Sequence, residues 1–217
     1  MYVVYAGGDD TFILGAYNEV FEFSYILRKS FEKYVCSNKN ITFSAGIGLF
    51  SYKYSVVKCA YYTEQFLDKA KIYTRKKEEL PQKDSVCLFD EIFTWNEFEK
   101  ILEIRNLCIN IYEKSENRAF LQKILNSTKG FKAILSNINT KKKIQIVKVH
   151  RLAYYLRELK NTKSQVSDIV ERLVKTYEKM VVDSILSKSN NVCNIMVIPA
   201  AVRWAELNTK KVEENDE

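Results

Sequence analysis

Two short runs of β-branched, aromatic and small residues, Tyr2 to Ala6 and Thr11 to Ala16, are separated by only four residues, Gly7-Gly8-Asp9-Asp10. Strand formers on either side of a Gly/Asp cluster predict an antiparallel hairpin with those four residues at its tip. A lone hairpin is marginal in water, so the chain that follows must supply a surface for it. Val20, Phe23, Leu27, Phe31 and Tyr34 recur at spacings of three and four, which predicts an amphipathic helix packed on a sheet through that stripe. Ile41 to Phe50 reads as a strand with small residues at its centre. Ser55 is placed as the N-cap of a second helix, whose stripe runs through Cys59, Tyr62, Phe66 and Ala70. The basic segment Tyr73 to Asp84, with Pro81, reads as a loop, and Ser85 to Phe89 as a last strand.

After Asp90 strand signals almost vanish. Thr94 with Glu97, and Thr162 with Gln165, have the spacing of capping boxes. Helices are predicted near 95–113, 116–128, 144–160, 163–187 and 200–208, with the acidic end Glu213 to Glu217 frayed. The expected organisation is an α+β domain over 1–90 and an all-α helical bundle over 91–217, both of ordinary size. Only 6 Gly and 2 Pro argue against a turn-rich all-β chain.

The hairpin tip has a specific chemical use. Glycines let a backbone approach a phosphate chain closely. Adjacent carboxylates suit Mg²⁺, a hard ion held by one or two protein carboxylates with substrate phosphates completing its shell. Two such ions polarise an α-phosphate and activate an attacking 3′-hydroxyl. The same four residues also build an ordinary hairpin turn, since Gly and Asp are common turn residues.

Charge points the same way more broadly. Lysine and arginine number 34 against 27 aspartates and glutamates, a net of +7. Segment 141–160 alone carries seven basic residues and the single acid Glu158. Lys141, Lys142, Lys143, Lys148, Arg151 and Arg157 form a candidate face toward RNA or a protein partner, and a solvated helix face explains them equally well. Trp95 and Trp204 fit a bundle core better than an interface, and lone His150 fits a satisfied bundle residue. The five cysteines are too far apart for a paired metal or redox motif, which suits reduced thiols in a cytoplasmic protein. The longest uncharged stretches, 40–52 and 189–202, fall short of the ~18 apolar residues of a membrane span, and no signal peptide precedes the first strand.

The order Tyr5-Ala6-Gly7-Gly8-Asp9-Asp10, helix, Thr42-Phe43-Ser44-Ala45-Gly46-Ile47-Gly48, then a helix ending Leu67-Asp68-Lys69-Ala70-Lys71 resembles the nucleotidyl-cyclase palm of GGDEF-type cyclases. It is more similar to the second palm of the large subunit of type III-A (Csm) CRISPR effector complexes. Val86-Cys87-Leu88-Phe89, Phe93-Thr94-Trp95-Asn96-Glu97-Phe98 and Arg151-Leu152-Ala153-Tyr154-Tyr155-Leu156 resemble that subunit's carboxy-terminal region, so the similarity spans nearly the whole chain.

The resemblance implies a ferredoxin-like palm that, once target RNA is bound, converts ATP into cyclic oligoadenylates for antiviral defence. It implies that Asp9 and Asp10 are catalytic and bind Mg²⁺ or Mn²⁺, with Gly7 and Gly8 beside the triphosphate. Lys71, with Lys69 as its near alternative, matches a phosphate-contacting lysine, and Ser44 is a candidate base contact. Its partners would be the subunit's amino-terminal half, the small and other Csm subunits, crRNA and target RNA.

A ferredoxin-type palm runs β-α-β-β-α-β with its first strand central, between the third and fourth. This chain is expected to begin at the second strand, so the sheet lacks its centre and the metal site lacks a carboxylate carried there. The family's HD nuclease domain and first palm are absent as well. A carboxy-terminal piece, a split subunit and a decayed gene product all fit. The reading is therefore of a chain inactive by itself, either contributing to the synthase or acting as an inert scaffold on the crRNA-protein complex.

Overall fold

The computed structural model describes residues 1–73, 83–132, 154, 156, 166–186 and 194–210, with side chains of the 166–186 stretch described up to Asp183. The chain divides into two compact units, Met1–Glu99 and Lys100–Glu217.

The first unit opens with the hairpin, β1 (Tyr2–Gly7) antiparallel to β2 (Asp10–Leu14). Gly7 pairs with Asp10, so the tip is the two-residue turn Gly8-Asp9 rather than the four residues expected. A bulge between Val3 and Tyr5 shifts the register within β1. Helix α1 (Tyr17–Tyr34) follows, then β3 (Ala45–Ile47), α2 (Val56–Lys71), β4 (Ser85–Leu88) and β5 (Glu91–Thr94).

Strand β3 pairs in parallel with β4, and β4 antiparallel with β5, giving a three-stranded sheet in the order β3-β4-β5. All four residues of β4 are buried, as suits a central strand written as a short apolar run. The hairpin is a separate two-stranded sheet. Gly46 is where β3 crosses α2: a Cβ there would lie 2.4 Å from the Leu67 nitrogen and 2.5 Å from the Thr63 carbonyl oxygen.

Three local expectations are corrected. The strand over Ile41–Phe50 shrinks to the three residues that find a partner in β4. A strand after Asp90 exists, because Phe89 and Asp90 turn the chain with positive φ at both positions, 53° and 63°, the pattern of a type I′ hairpin. Its usual Asn-Gly signature is missing, and the Phe89 ring instead sits edge-on to Phe21 at 5.7 Å. On α1, Phe21 is buried and Val20, Phe23, Arg28 and Phe31 are half-buried, whereas Leu27 and Tyr34 of the expected stripe are exposed.

Beneath α1 an aromatic cluster joins Phe31 to Phe43 and Phe43 to Trp95, each pair at 5.1 Å. The Trp95 indole N–H donates to the Phe43 carbonyl at 3.0 Å. Arg28 lies 5.8 Å over both rings and pairs with Asp84 at 2.9 Å. Trp95 thus belongs to the first unit's core rather than to the bundle. Thr94 and Glu97 close the capping box foreseen, with the Thr94 N–H donating to the Glu97 carboxylate at 2.8 Å.

In the second unit, α3 (Trp95–Ser115, from Lys100 onward), α4 (Ala119–Ser127), α5 (Ser167–Leu186) and α6 (Val197–Asn208) carry the core. Trp204 is fully buried with the Arg105 guanidinium 4.6 Å over its ring. Arg118 donates to the Glu206 carbonyl at 2.8 Å, and Ser127 and Tyr177 share a hydrogen bond at 3.1 Å. Helix α6 starts at Val197 rather than after Pro199, because proline in the first turn loses only an N–H that has no helical acceptor.

The predicted helix over 144–160 and the Thr162–Gln165 cap lie outside the described residues, apart from Tyr154 and Leu156. Lys141, Lys142, Lys143, Lys148, His150, Arg151 and Arg157 lie outside them too.

Candidate functional site

At the hairpin tip Gly8 has φ +61°, a conformation glycine adopts without steric cost, while Asp9 does not share it. Positive φ at the first central residue alone is the pattern of a type II′ turn. A Cβ on Gly8 would meet nothing within 4 Å, so the space above the turn is open. At Gly7 the space on the corresponding side is taken by the end of Tyr5, whose hydroxyl would lie 2.7 Å from a Cβ.

Asp9 occupies the turn and Asp10 begins β2, and both are exposed. Two consecutive solvent-facing carboxylates fit the protein's share of a Mg²⁺ shell, the remainder coming from phosphates and water. Among the described residues no group of three or more His, Cys, Asp or Glu side chains is arranged to hold a metal ion. What the tip offers by itself is two acceptors and an open backbone.

The two candidate lysines separate. Both stand in the last turn of α2, where a cation is favoured by the helix dipole. Lys69 donates to Asp90 at 2.5 Å and lies 5.5 Å over the Phe66 ring. The hydrogen bond to Asp90 pushes the Lys69 ammonium pKa up. Lys71 makes no ion pair among the described residues and is half-buried. Asp90 was missed by sequence reading. Its one signal is its place in a tight turn between two strands, and neither neighbour marks that turn with glycine.

Ser44 directly precedes β3, and its Oγ is buried without a hydrogen-bond partner. Leaving such a hydroxyl unpaired costs ~1–3 kcal/mol. No hydrogen bond or ion pair among the described residues joins Ser44, Lys69 or Lys71 to Asp9 or Asp10.

Residues 1–85 match the model of the Cas10/Cmr2 second palm domain. Among curated proteins, Cas10/Csm1 (subtype III-A) of Streptococcus thermophilus is 31% identical over 157 residues, 72% of this chain and 19% of the relative. The chain belongs to the Cas10/Csm1 family. Cas10/Csm1 of Mycobacterium tuberculosis is 36% identical over 129 residues, 57% of this chain and 15% of the relative. That of Enterococcus italicus is 33% identical over 131 residues, 57% of this chain and 16% of the relative. These relatives are described as CRISPR-system single-strand-specific deoxyribonucleases, and the chain spans less than a fifth of their length.

The Cas10/Cmr2 palm match covers the hairpin, α1, β3 and α2 and ends at the first residue of β4. Asp9, Asp10, Ser44, Lys69 and Lys71 all fall inside it. No helix among the described residues is long and apolar enough to cross a membrane.

Proposed function

We propose that this chain supplies the Gly7–Asp10 hairpin of a nucleotidyl-transfer site within a type III CRISPR large subunit, and that the site joins ATP into cyclic oligoadenylates. The observation that carries the reading is the tip itself, in which open space stands over Gly8 beside the exposed carboxylates of Asp9 and Asp10. The palm-family match over the same residues supports it.

In this account Asp9 and Asp10 hold divalent Mg²⁺ or Mn²⁺, which when bound supplies charge neutralisation at the phosphates and activation of a 3′-hydroxyl. The backbone at Gly8 leaves room for the triphosphate, Lys71 contacts its oxygens, and the Ser44 hydroxyl faces the base. Lys69 is tied to Asp90 and serves the fold.

The division of the palm into a two-stranded and a three-stranded sheet supports a further part of the reading. An extended strand between β2 and β3 would pair both free edges and cover an otherwise solvent-exposed hairpin. That strand comes from the amino-terminal half of the subunit. The other Csm subunits, crRNA and target RNA are the remaining partners, with the basic segment from Lys141 to Arg157 facing RNA or the small subunit.

A second reading, an inert scaffold, is favoured by the lack of a third metal-ligating side chain among the described residues. The two separate when the upstream polypeptide is supplied with target RNA and ATP. Turnover that depends on Asp9 and Asp10 supports the synthase, and assembly without turnover supports the scaffold.

A further inference from the structure

Between β3 and α2 the chain builds a surface that the nucleotidyl-transfer reading does not use. Ser51 to Tyr54 form a turn closed by the Tyr54 N–H donating to the Ser51 carbonyl at 2.9 Å. Phe50 stacks on Tyr54 with ring centroids 5.4 Å apart and planes 11° apart. The series continues through Tyr54 and Tyr62 at 6.3 Å, and Tyr62 and Tyr61 at 5.4 Å. Four aromatic rings are therefore connected in one row.

The row is partly open to solvent, with Tyr61 58% exposed, and beside it Tyr52, in the turn, is 90% exposed. Val57, one helical turn before Tyr61, is 79% exposed. A surface so rich in uncovered rings is an interaction site by the usual behaviour of folded proteins.

Charge decides between occupants. From Asn40 to Thr63 the chain has no acidic residue and its cations are Lys53 and Lys58, with Glu64 the first acid beyond them, three residues after Tyr61. The first turn of α2 carries no carboxylate. The Lys53 ammonium lies 5.4 Å over the Tyr52 ring, so cation and ring are presented together. An apolar protein surface would leave Lys53 and Lys58 unpartnered, and an acidic peptide would meet the lysines but offer exposed rings fewer flat faces than stacked bases do. Exposed rings flanked by cations suit a single strand of nucleic acid, whose bases stack while its phosphates meet the lysines. The exposed rings are tyrosines, whose hydroxyls can also donate to or accept from a ribose 2′-hydroxyl.

We infer that the Phe50–Tyr62 surface binds single-stranded RNA, with Tyr52 and Tyr61 stacking on bases and Lys53 and Lys58 meeting phosphates. The site is separate from Asp9 and Asp10 and independent of whether they catalyse.

The test is fluorescence-anisotropy titration of a labelled 12-nucleotide uridine RNA with the full chain, beside DNA of the same length. Tyr52→Ala with Tyr61→Ala should weaken RNA binding about tenfold or more, with only a small change in the thermal transition because Tyr52 is almost wholly exposed and Tyr61 more than half exposed. Lys53→Gln with Lys58→Gln should flatten the salt dependence by about 1.4 in log–log slope. Tyr52→Phe with Tyr61→Phe should keep most of the affinity and lose the preference for RNA over DNA. Asp9→Ala with Asp10→Ala should bind like the parent. No RNA binding by the parent, equal binding of DNA, or unchanged affinity in the alanine variant would overturn the inference. Loss of self-association in the alanine variant without loss of RNA affinity would also overturn it, assigning the surface to a second copy.

Discussion

Lys69 donates to Asp90 at 2.5 Å, linking the last turn of α2 to the turn between β4 and β5. This pair separates two lysines that sequence spacing alone leaves equivalent. Lys69 would give up an exposed, individually weak ion pair before it could meet a phosphate, which ranks it below Lys71 as a ligand. In an assembly supplied with its upstream strand, Lys71→Ala should weaken ATP binding about tenfold or more, as expected for a lost charge-assisted bond. Lys69→Ala should leave ATP affinity near that of the parent. Calorimetric titration with Mg²⁺-ATP distinguishes them, and the reverse ranking would refute the assignment of Lys71.

Two glycines are required for different reasons, and their alanine variants should fail differently. At Gly46 an added methyl would meet the α2 backbone at Leu67 and Thr63, so Gly46→Ala should destabilise the first unit by about 3 kcal/mol or more. At Gly8 nothing blocks a methyl, and the cost is the positive φ, about 1–2 kcal/mol and local to the hairpin. Denaturant unfolding should therefore show a large loss for Gly46→Ala and a small one for Gly8→Ala. Equal losses would mean that β3 does not depend on its close crossing of α2.

The fold was legible where one residue type has one physical use. The hairpin was written in the Gly/Asp cluster between Ala6 and Thr11, and the start of α3 in Thr94 and Glu97. It was obscure where tertiary contact overrides local preference. Phe89 and Asp90 form a primed turn without glycine because Phe89 packs on Phe21. Helix α1 has two apolar faces, so periodicity could not say that Phe21, outside the expected stripe, would be buried while Leu27 and Tyr34, within it, stayed outside. In the candidate site, the place of Asp9 and Asp10 at the hairpin tip was evident from their neighbours in sequence. The tie between Lys69 and Asp90, and the unpaired hydroxyl of Ser44, depend on residues far apart in the chain.

Asp84 gives a pH dependence of definite sign. Burial pushes its carboxyl above the usual 3.8, Arg28 opposes the rise and Glu32 adds to it. The folded state therefore holds the proton more tightly than the unfolded chain does. Its stabilising contribution is full below 3.8 and is lost as pH rises through the raised value. Asn does not titrate, so the melting temperature of the parent minus that of Asp84→Asn should fall as pH increases through the acid range. A difference that rises instead would contradict the direction assigned to Asp84.

The cysteines should differ sharply in reactivity. Burial pushes the Cys87 thiol up to about 11 and the Cys108 thiol to about 12, whereas Cys36 is exposed. Only the thiolate is a good nucleophile, so Cys36 should be alkylated in the native protein while Cys87 and Cys108 react on unfolding. Mass-spectrometric mapping after brief iodoacetamide treatment reads this directly. Native labelling of Cys108 would mean that α3 is not packed as described.

The central claim is that Asp9 and Asp10 belong to a nucleotidyl-transfer site that this chain shares with an upstream strand. The most direct measurement is cyclic oligoadenylate formed from Mg²⁺-ATP by the chain alone, and by the chain assembled with that polypeptide, crRNA and target RNA. The account predicts no product from the chain alone, product from the assembly, and loss of that product in Asp9→Ala with Asp10→Ala. Product from the chain alone, assembly without product, or product that survives loss of both carboxylates would contradict it.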